Sequence, residues 1–165
     1  MNKRSFWTRF FLVMTVLTAA AIFFFSSQPG EESSELSDGV TLTVVRIIRP
    51  DYASLPPDER QAFLESLGLI VRKCAHFSEF ALLGLNVMCL FRLRRRTPGI
   101  PRPMPLAARG ASSLYAATDE LHQMFVDARG PAFLDVGIDS AGALTGVLLA
   151  VLGLSLLSGR IDALE

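Results

Sequence analysis

The sequence predicts an all-α integral membrane protein with four transmembrane helices in a bundle, on three observations. Half of the 165 residues are apolar and the mean hydropathy is +0.38, which is high for a single soluble domain. The apolar residues come in blocks, and a block of about 20 helical residues is what a hydrocarbon core requires. The connections between the blocks are alternately rich and poor in lysine and arginine, as loops on opposite faces of a membrane are.

The first block follows Lys3, Arg4 and Arg9 and runs from Phe10 to Phe25, interrupted only by Thr15 and Thr18. A basic segment before an apolar run also describes a secretory signal. Phe25-Ser26-Ser27 makes a poor cleavage site, so a retained helix over about 7–27 is the reading. Residues 28–68 form a polar connection with eight acidic and three basic residues. Pro29-Gly30, Pro50, Pro56 and Pro57 punctuate it. Between them, Val40, Val44, Ile47 and Ile48 recur at helical spacing, as do Phe63, Leu64 and Leu67. Short amphipathic helices lying on the membrane surface account for that pattern.

The second span covers 69–91 and carries Arg72, Lys73, His76 and Glu79 in its first half. Arg92, Arg94, Arg95, Arg96 and Arg102 follow in a loop at 92–104. Because this run abuts an apolar block, it reads as a juxtamembrane anchor and not as a nucleic-acid patch. The third span, 105–126, ends in Asp119, Glu120, His122 and Gln123. A turn from Asp127 to Pro131 leads to the fourth, 132–157, with Asp135 and Asp139 near its start. Cys74 and Cys89 fall on one helix about 22 Å apart, too far to pair, and read as packing residues.

Lysine and arginine counts place both termini and the 92–104 loop in the cytoplasm, and the 28–68 loop outside. The expected location is a bacterial cytoplasmic membrane, with the bilayer as the constant partner and no nucleic acid. In that topology the three polar groups reach one depth, at the outer ends of spans two, three and four. Their helical phases agree as well. Arg72, His76, Glu79 and Asn86 share an arc of about 80°, and Ser112, Tyr115, Asp119, His122 and Gln123 one of about 100°. Asp135, Asp139, Gly142 and Gly146 share about 60°. Lys73 and Glu120 point to the side of their groups. A charge at the bilayer centre costs roughly 2.5–3.5 kcal/mol on insertion scales, so these residues should face one another around an outward-open polar pocket. Gly142 and Gly146 form a small-xxx-small pair that would let the fourth span approach the second or third.

The segments Arg-Lys-Cys-Ala-His-Phe-Ser-Glu-Phe-Ala-Leu-Leu-Gly (72–84) and Thr-Asp-Glu-Leu-His-Gln-Met-Phe-Val (118–126) resemble the VanZ-like family. Arg129 followed by Asp135, Gly142 and Gly146, and Phe-Ser-Ser-Gln-Pro-Gly at 25–30, are similar to it too. The resemblance covers nearly the whole chain. It implies a membrane protein of the cell envelope, in a family named for a protein associated with glycopeptide (teicoplanin) resistance. The positions it carries over are Lys73, His76, Glu79, Asp119, Glu120, His122, Gln123, Arg129 and Asp135. Two departures make this chain more acidic: Asp127-Ala128-Arg129 stands where the family commonly has Pro-Gly-Arg, and Asp139 where it commonly has asparagine.

Three functional readings follow from the residues. In the first, the charges form a structural network, with Arg72 or Lys73 neutralising Glu79, Asp119 or Asp135 and the histidines as bridges. In the second, His76 or His122 beside a carboxylate (Glu79, Asp119, Glu120, Asp135 or Asp139) performs acid–base chemistry on an envelope lipid or lipid-linked glycan. Arg72, Lys73, Gln123 and Arg129 would then bind its polar or anionic part. The third is binding without turnover. An alternating-access carrier would need more helices unless copies associate, and the sequence has no internal repeat. The two histidines and the carboxylates could serve a metal only by drawing ligands from three helices without a His-Glu-x-x-His spacing, so neither a metal nor another cofactor is expected.

Overall fold

A computed structural model describes residues 3–97, 99–127 and 133–162. These form five α-helices and one short 3-10 turn: α1 Lys3–Ser26, α2 Gly30–Ile48, the turn Tyr52–Ser54, α3 Pro57–Arg94, α4 Pro103–Gln123 and α5 Phe133–Asp162. The described residues contain no strand. Among the described residues, three helices are long and apolar enough to cross a membrane: α1, α3 and α5 over Phe133–Leu157; α4, which covers most of the expected third span, is not among them.

The prolines set most of the boundaries. Pro56 and Pro57 open α3, where a missing N–H costs nothing, and Asp58 and Glu59 in its first turn suit the positive end of the helix dipole. Arg92 and Arg94 occupy the last turn, where the dipole favours cations. Pro103 opens α4 in the same way, and α2 stops just before Pro50. Gly99, at φ 79°, takes a left-handed conformation in the α3–α4 connection, which glycine adopts without strain.

One boundary departs from the sequence reading. Phe63, Leu64 and Leu67 do not form a separate surface helix. They belong to α3, which starts at Pro57 instead of 69 and continues unbroken for 38 residues, about 57 Å of helix. Since a hydrocarbon core is about 30 Å thick, roughly half of α3 must project beyond it. Nothing between Pro57 and Leu69 breaks a helix except Gly68, which a helix tolerates. The loop expected at 28–68 is therefore mostly helix, with α2 packed against the first half of α3.

α3 is the hub, touching each of the other four helices. Its closest partner is α5, and the seam is made by glycine. A Cβ built on Gly142 would fall 2.2 Å from the Phe77 carbonyl oxygen, and one on Gly146 1.8 Å from that of Ala81. From the other side, a Cβ on Gly84 would fall 2.2 Å from the Ala143 oxygen. Only a missing side chain lets the backbones come that near. Phe80, Leu83, Val87, Met88, Ala143, Val147 and Ala150 fill the core around the seam, with Ile22 of α1 and Ala108 and Ala116 of α4.

The pairings fix relative directions. Phe77 and Ala81 lie against Gly142 and Gly146, so α3 and α5 run parallel. Arg4 at the start of α1 donates to the carbonyls of Leu93 and Arg95 at the end of α3, so those two are antiparallel. Outside the core, Val13, Val16, Leu17, Phe24, Leu114, Leu148, Leu149 and Leu152 are exposed. An apolar exterior around a helical core is the arrangement lipid requires.

Candidate functional site

The polar residues of α3, α4 and α5 meet at one end of the bundle, and α1 joins them there. On α4, Asp119 is 3% exposed, and its Oδ2 accepts hydrogen bonds from Ser26 Oγ at 2.7 Å and from Gln123 Nε2 at 2.9 Å. Gln123 also donates to Ser26 Oγ at 3.3 Å. His122 Nε2 lies 3.1 Å from Ser27 Oγ, and its ring stacks on Phe23 with centroids 4.7 Å apart. One helix turn deeper, Tyr115 donates to the carbonyl of Ala19 at 2.8 Å. The polar stripe of α4 thus faces the last two turns of α1.

The other half of the cluster lies between α3 and α5. Lys73 Nζ forms an ion pair with Asp135, both being partly exposed. Asp139, one turn further into the bundle, is 2% exposed. It lies within electrostatic reach of Asp119, Asp135, Glu120 and Glu79, and Glu79 within reach of Asp119. Five carboxylates from three helices therefore share one region. Two of their oxygens, Asp119 Oδ1 and Asp139 Oδ1, are buried without a hydrogen-bond partner, an uncommon condition for a folded protein.

The cluster has a rim and a floor. Lys73, Asp135, His122, Gln123 and Ser27 are half-buried at the end of the bundle, whereas Asp119, Glu120 and Asp139 are buried one turn below. Deeper still, Asn86 Nδ2 donates to Thr18 Oγ1 at 3.2 Å, joining α3 to α1. Ser112 bonds only along its own helix, to the carbonyl of Ala108.

Helical phase turned some side chains the wrong way. Lys73, expected at the side, forms the pair with Asp135 that the structural-network reading named, and Glu120, also expected at the side, is 7% exposed within the cluster. Arg72, expected at the centre, instead lines a cavity between α2 and α3. His76 is half-buried on the same stretch of α3, and Glu79 likewise. Arg129 lies outside the described residues. Among the described residues, no group of three His, Cys, Asp or Glu side chains could hold a metal ion. Cys74 and Cys89 are both free thiols.

The sequence reading gives Ser26, Ser27 and Phe23 no part in the site. A signal existed, because two serines close an otherwise apolar helix and lie in the 25–30 segment that carries the family resemblance. Gly84 was also passed over as a packing residue, since it has no small partner four residues away on its own helix. Its partner, Ala143, is on α5.

A family model for VanZ/LLP1 proteins matches residues 11–155, most of the chain. The chain belongs to the VanZ/LLP1 family. The match runs from the middle of α1 to the last part of α5, so it takes in every residue of the cluster, Ser26 and Ser27 included. Neither a protein of curated function nor a solved structure matches the chain. Family membership and the three apolar helices together make this VanZ/LLP1 protein a membrane protein.

Proposed function

We propose that this VanZ/LLP1 protein spans the bacterial cytoplasmic membrane four times with both termini in the cytoplasm. Its cluster faces outward and binds the hydroxyl- or amine-bearing part of an envelope lipid or lipid-linked glycan. α4 is the fourth span in this reading. Its 21 residues give about 32 Å of helix, and its polar side chains lower its hydropathy without meeting lipid. Ser112, Asp119 and Glu120 face inward, while Leu106, Leu114 and Leu121 are exposed. The orientation rests on the arginines of 92–102 lying at the opposite end from the cluster.

The observation that carries the binding reading is the pair of orphaned oxygens, Asp119 Oδ1 and Asp139 Oδ1, beneath a half-exposed rim. A network that only holds helices together gains nothing from two buried acceptors without donors, whereas a ligand's donors would satisfy them. The surplus of carboxylates selects the ligand's chemistry. Lys73 is already paired with Asp135, so an anionic group gains little here, whereas sugar hydroxyls and ammonium groups donate to carboxylates. Glycopeptide tolerance through such an envelope component is the phenotype the family suggests.

Asp139→Leu and Asp119→Asn test this in cells sensitised to teicoplanin, with melting temperatures measured on the same purified variants. The reading expects variants that insert and melt like wild type, or higher, yet lose tolerance and lose stabilisation by a lipid-linked glycan. Variants that melt many degrees lower and regain function when restabilised elsewhere would favour the structural network.

A second reading, an enzyme acting on the same envelope component, is favoured by the Ser27–His122 contact alone. Ser27 Oγ also donates to the carbonyl of Phe23 at 2.6 Å, so its proton is directed away from His122. Activation as a nucleophile would require that hydroxyl to rotate. Turnover of a labelled envelope lipid by pure protein, lost in Ser27→Ala, would establish this reading over binding.

A further inference from the structure

The polar cluster leaves a second recess unused. Between α2 and the first half of α3 lies a cavity of about 430 Å³, a size suited to a small ligand. Leu64, Gly68 and Leu69 make one side of it apolar, and Asp38, Glu65 and Arg72 make the other charged. Gln61 donates to Glu65 at 3.0 Å and holds that carboxylate at the wall. Asp38 and Arg72 make no hydrogen bond or ion pair with any described residue.

The depth of the cavity follows from helix length. A hydrocarbon core of about 30 Å takes about 20 residues of helix. Counted back along α3 from Arg92, where the basic run begins, those 20 residues end near Arg72. The cavity therefore opens at headgroup level. Leu69 and Ile70 of α3, within one turn of Arg72, are exposed, as side chains that meet lipid would be.

We propose that this cavity binds a phosphate–ammonium group carried by a membrane lipid, of the phosphatidylethanolamine type. Arg72 takes the phosphate through charge-assisted hydrogen bonds. Asp38 and Glu65, on the side away from the hydrocarbon, accept from the primary ammonium, and the acyl chains leave the site past Arg72 into the bilayer. An anionic headgroup would engage Arg72 but bring no cation to Asp38 and Glu65, and a headgroup without a phosphate would bring no anion to Arg72, which would fall back on one of those carboxylates. The zwitterion satisfies both, which makes the site selective and not merely membrane-facing.

The test uses the purified full chain in detergent, titrated with short-chain phosphatidylethanolamine, phosphatidylglycerol of the same chains, and free phosphoethanolamine. Binding is read as affinity and as melting-temperature shift. Phosphatidylethanolamine should bind saturably, at least tenfold tighter than either competitor. Arg72→Gln should weaken it by about tenfold or more, and Gly68→Leu should abolish it by filling the cavity. A Cβ at Gly68 has room, its nearest atom being Thr41 Oγ1 at 3.9 Å, and a ligand-free melting temperature equal to wild type checks that the longer leucine side chain fills the cavity without parting α2 from α3. Equal binding of phosphatidylglycerol would overturn the assignment of the carboxylates, and unchanged binding by both variants would overturn the site. Free phosphoethanolamine binding as tightly as the lipid would replace a lipid ligand with a soluble one.

Discussion

Replacing Gly146 with alanine loads the α3–α5 seam at its tightest point. The new Cβ would stand 1.8 Å from the oxygen of Ala81, 2.7 Å from its carbonyl carbon and 2.8 Å from the backbone nitrogen of Leu85. All three are main-chain atoms of a helix, so no rotamer change relieves the contact. Carbon and carbonyl oxygen meet comfortably at about 3.3 Å, which requires the helices to part by about 1.5 Å. A gap of even about 0.5–1 Å forfeits a quarter to a half of a contact's dispersion energy. Overpacking of this kind costs about 1–3 kcal/mol, and in lipid packing is the main force between helices, so the upper end applies. Alanine offsets about 1 kcal/mol through its helix propensity, leaving a net loss of about 2 kcal/mol. Gly153→Ala is the control, because nothing lies within 4 Å of a Cβ there, and it should be neutral or slightly stabilising. Unfolding by dodecyl sulfate in mixed micelles, followed by circular dichroism, measures both variants. If Gly146→Ala is as stable as Gly153→Ala, the close approach of α3 and α5 is wrong.

Other substitutions probe the cluster and the helices around it. Ser26→Ala removes a donor to the buried Asp119 carboxylate and should cost about 1–3 kcal/mol in the same assay; no change would detach α1 from the cluster. Asn86→Leu leaves Thr18 without its interhelical partner and should cost about 0.6–2 kcal/mol; a variant more stable than wild type would show that the pair is not what joins α1 to α3. Lys73→Gln breaks an ion pair whose side chains are 40% and 37% exposed, so the loss should stay below about 1 kcal/mol and shrink in high salt; a much larger loss would mean the pair is shielded by lipid. A reporter placed at the turn Tyr52–Ser54 should be active only when exported, whereas one fused after α5 should be active only in the cytoplasm; the reverse pattern would invert the proposed orientation.

The positions of the apolar helices were legible because hydropathy and charge bias act locally, and lipid imposes both on each span separately. The convergence of Asp119, Asp139 and Glu79 was legible for a related reason. Charges expensive to place in lipid must face inward, and spans of alternating direction bring helix ends of one kind together. Proline opens α3 and α4, although the sequence reading takes Pro56 and Pro57 as loop breakers and starts the span at 69. It did not mark how far α3 continues, since the polar surface of residues 57–68 hides a helix whose continuity only contact with α2 makes visible. α4, expected as a span, is not among the helices apolar enough to cross a membrane; hydropathy averages over all faces of a helix, and the buried Ser112, Asp119 and Glu120 lower it.

Periodicity determines which residues share a face, and the sequence by itself settled that Asp135, Asp139, Gly142 and Gly146 do. It could not say which helix that face meets, because the code is symmetric: a small-xxx-small stripe fits any backbone that comes close enough. Tertiary structure chose α3, by setting Gly84 opposite Ala143 and leaving room for Gly142 and Gly146 against Phe77 and Ala81. It also brought in α1, whose Ser26 and Ser27 meet Asp119 and His122 across more than 90 residues of chain. It turned Arg72 away from the cluster toward α2 while drawing Lys73 to Asp135. One residue's difference is about 100° of rotation around a helix, and whether a given direction holds a partner or an empty cavity depends on the neighbouring helices, not on the helix that carries the residue.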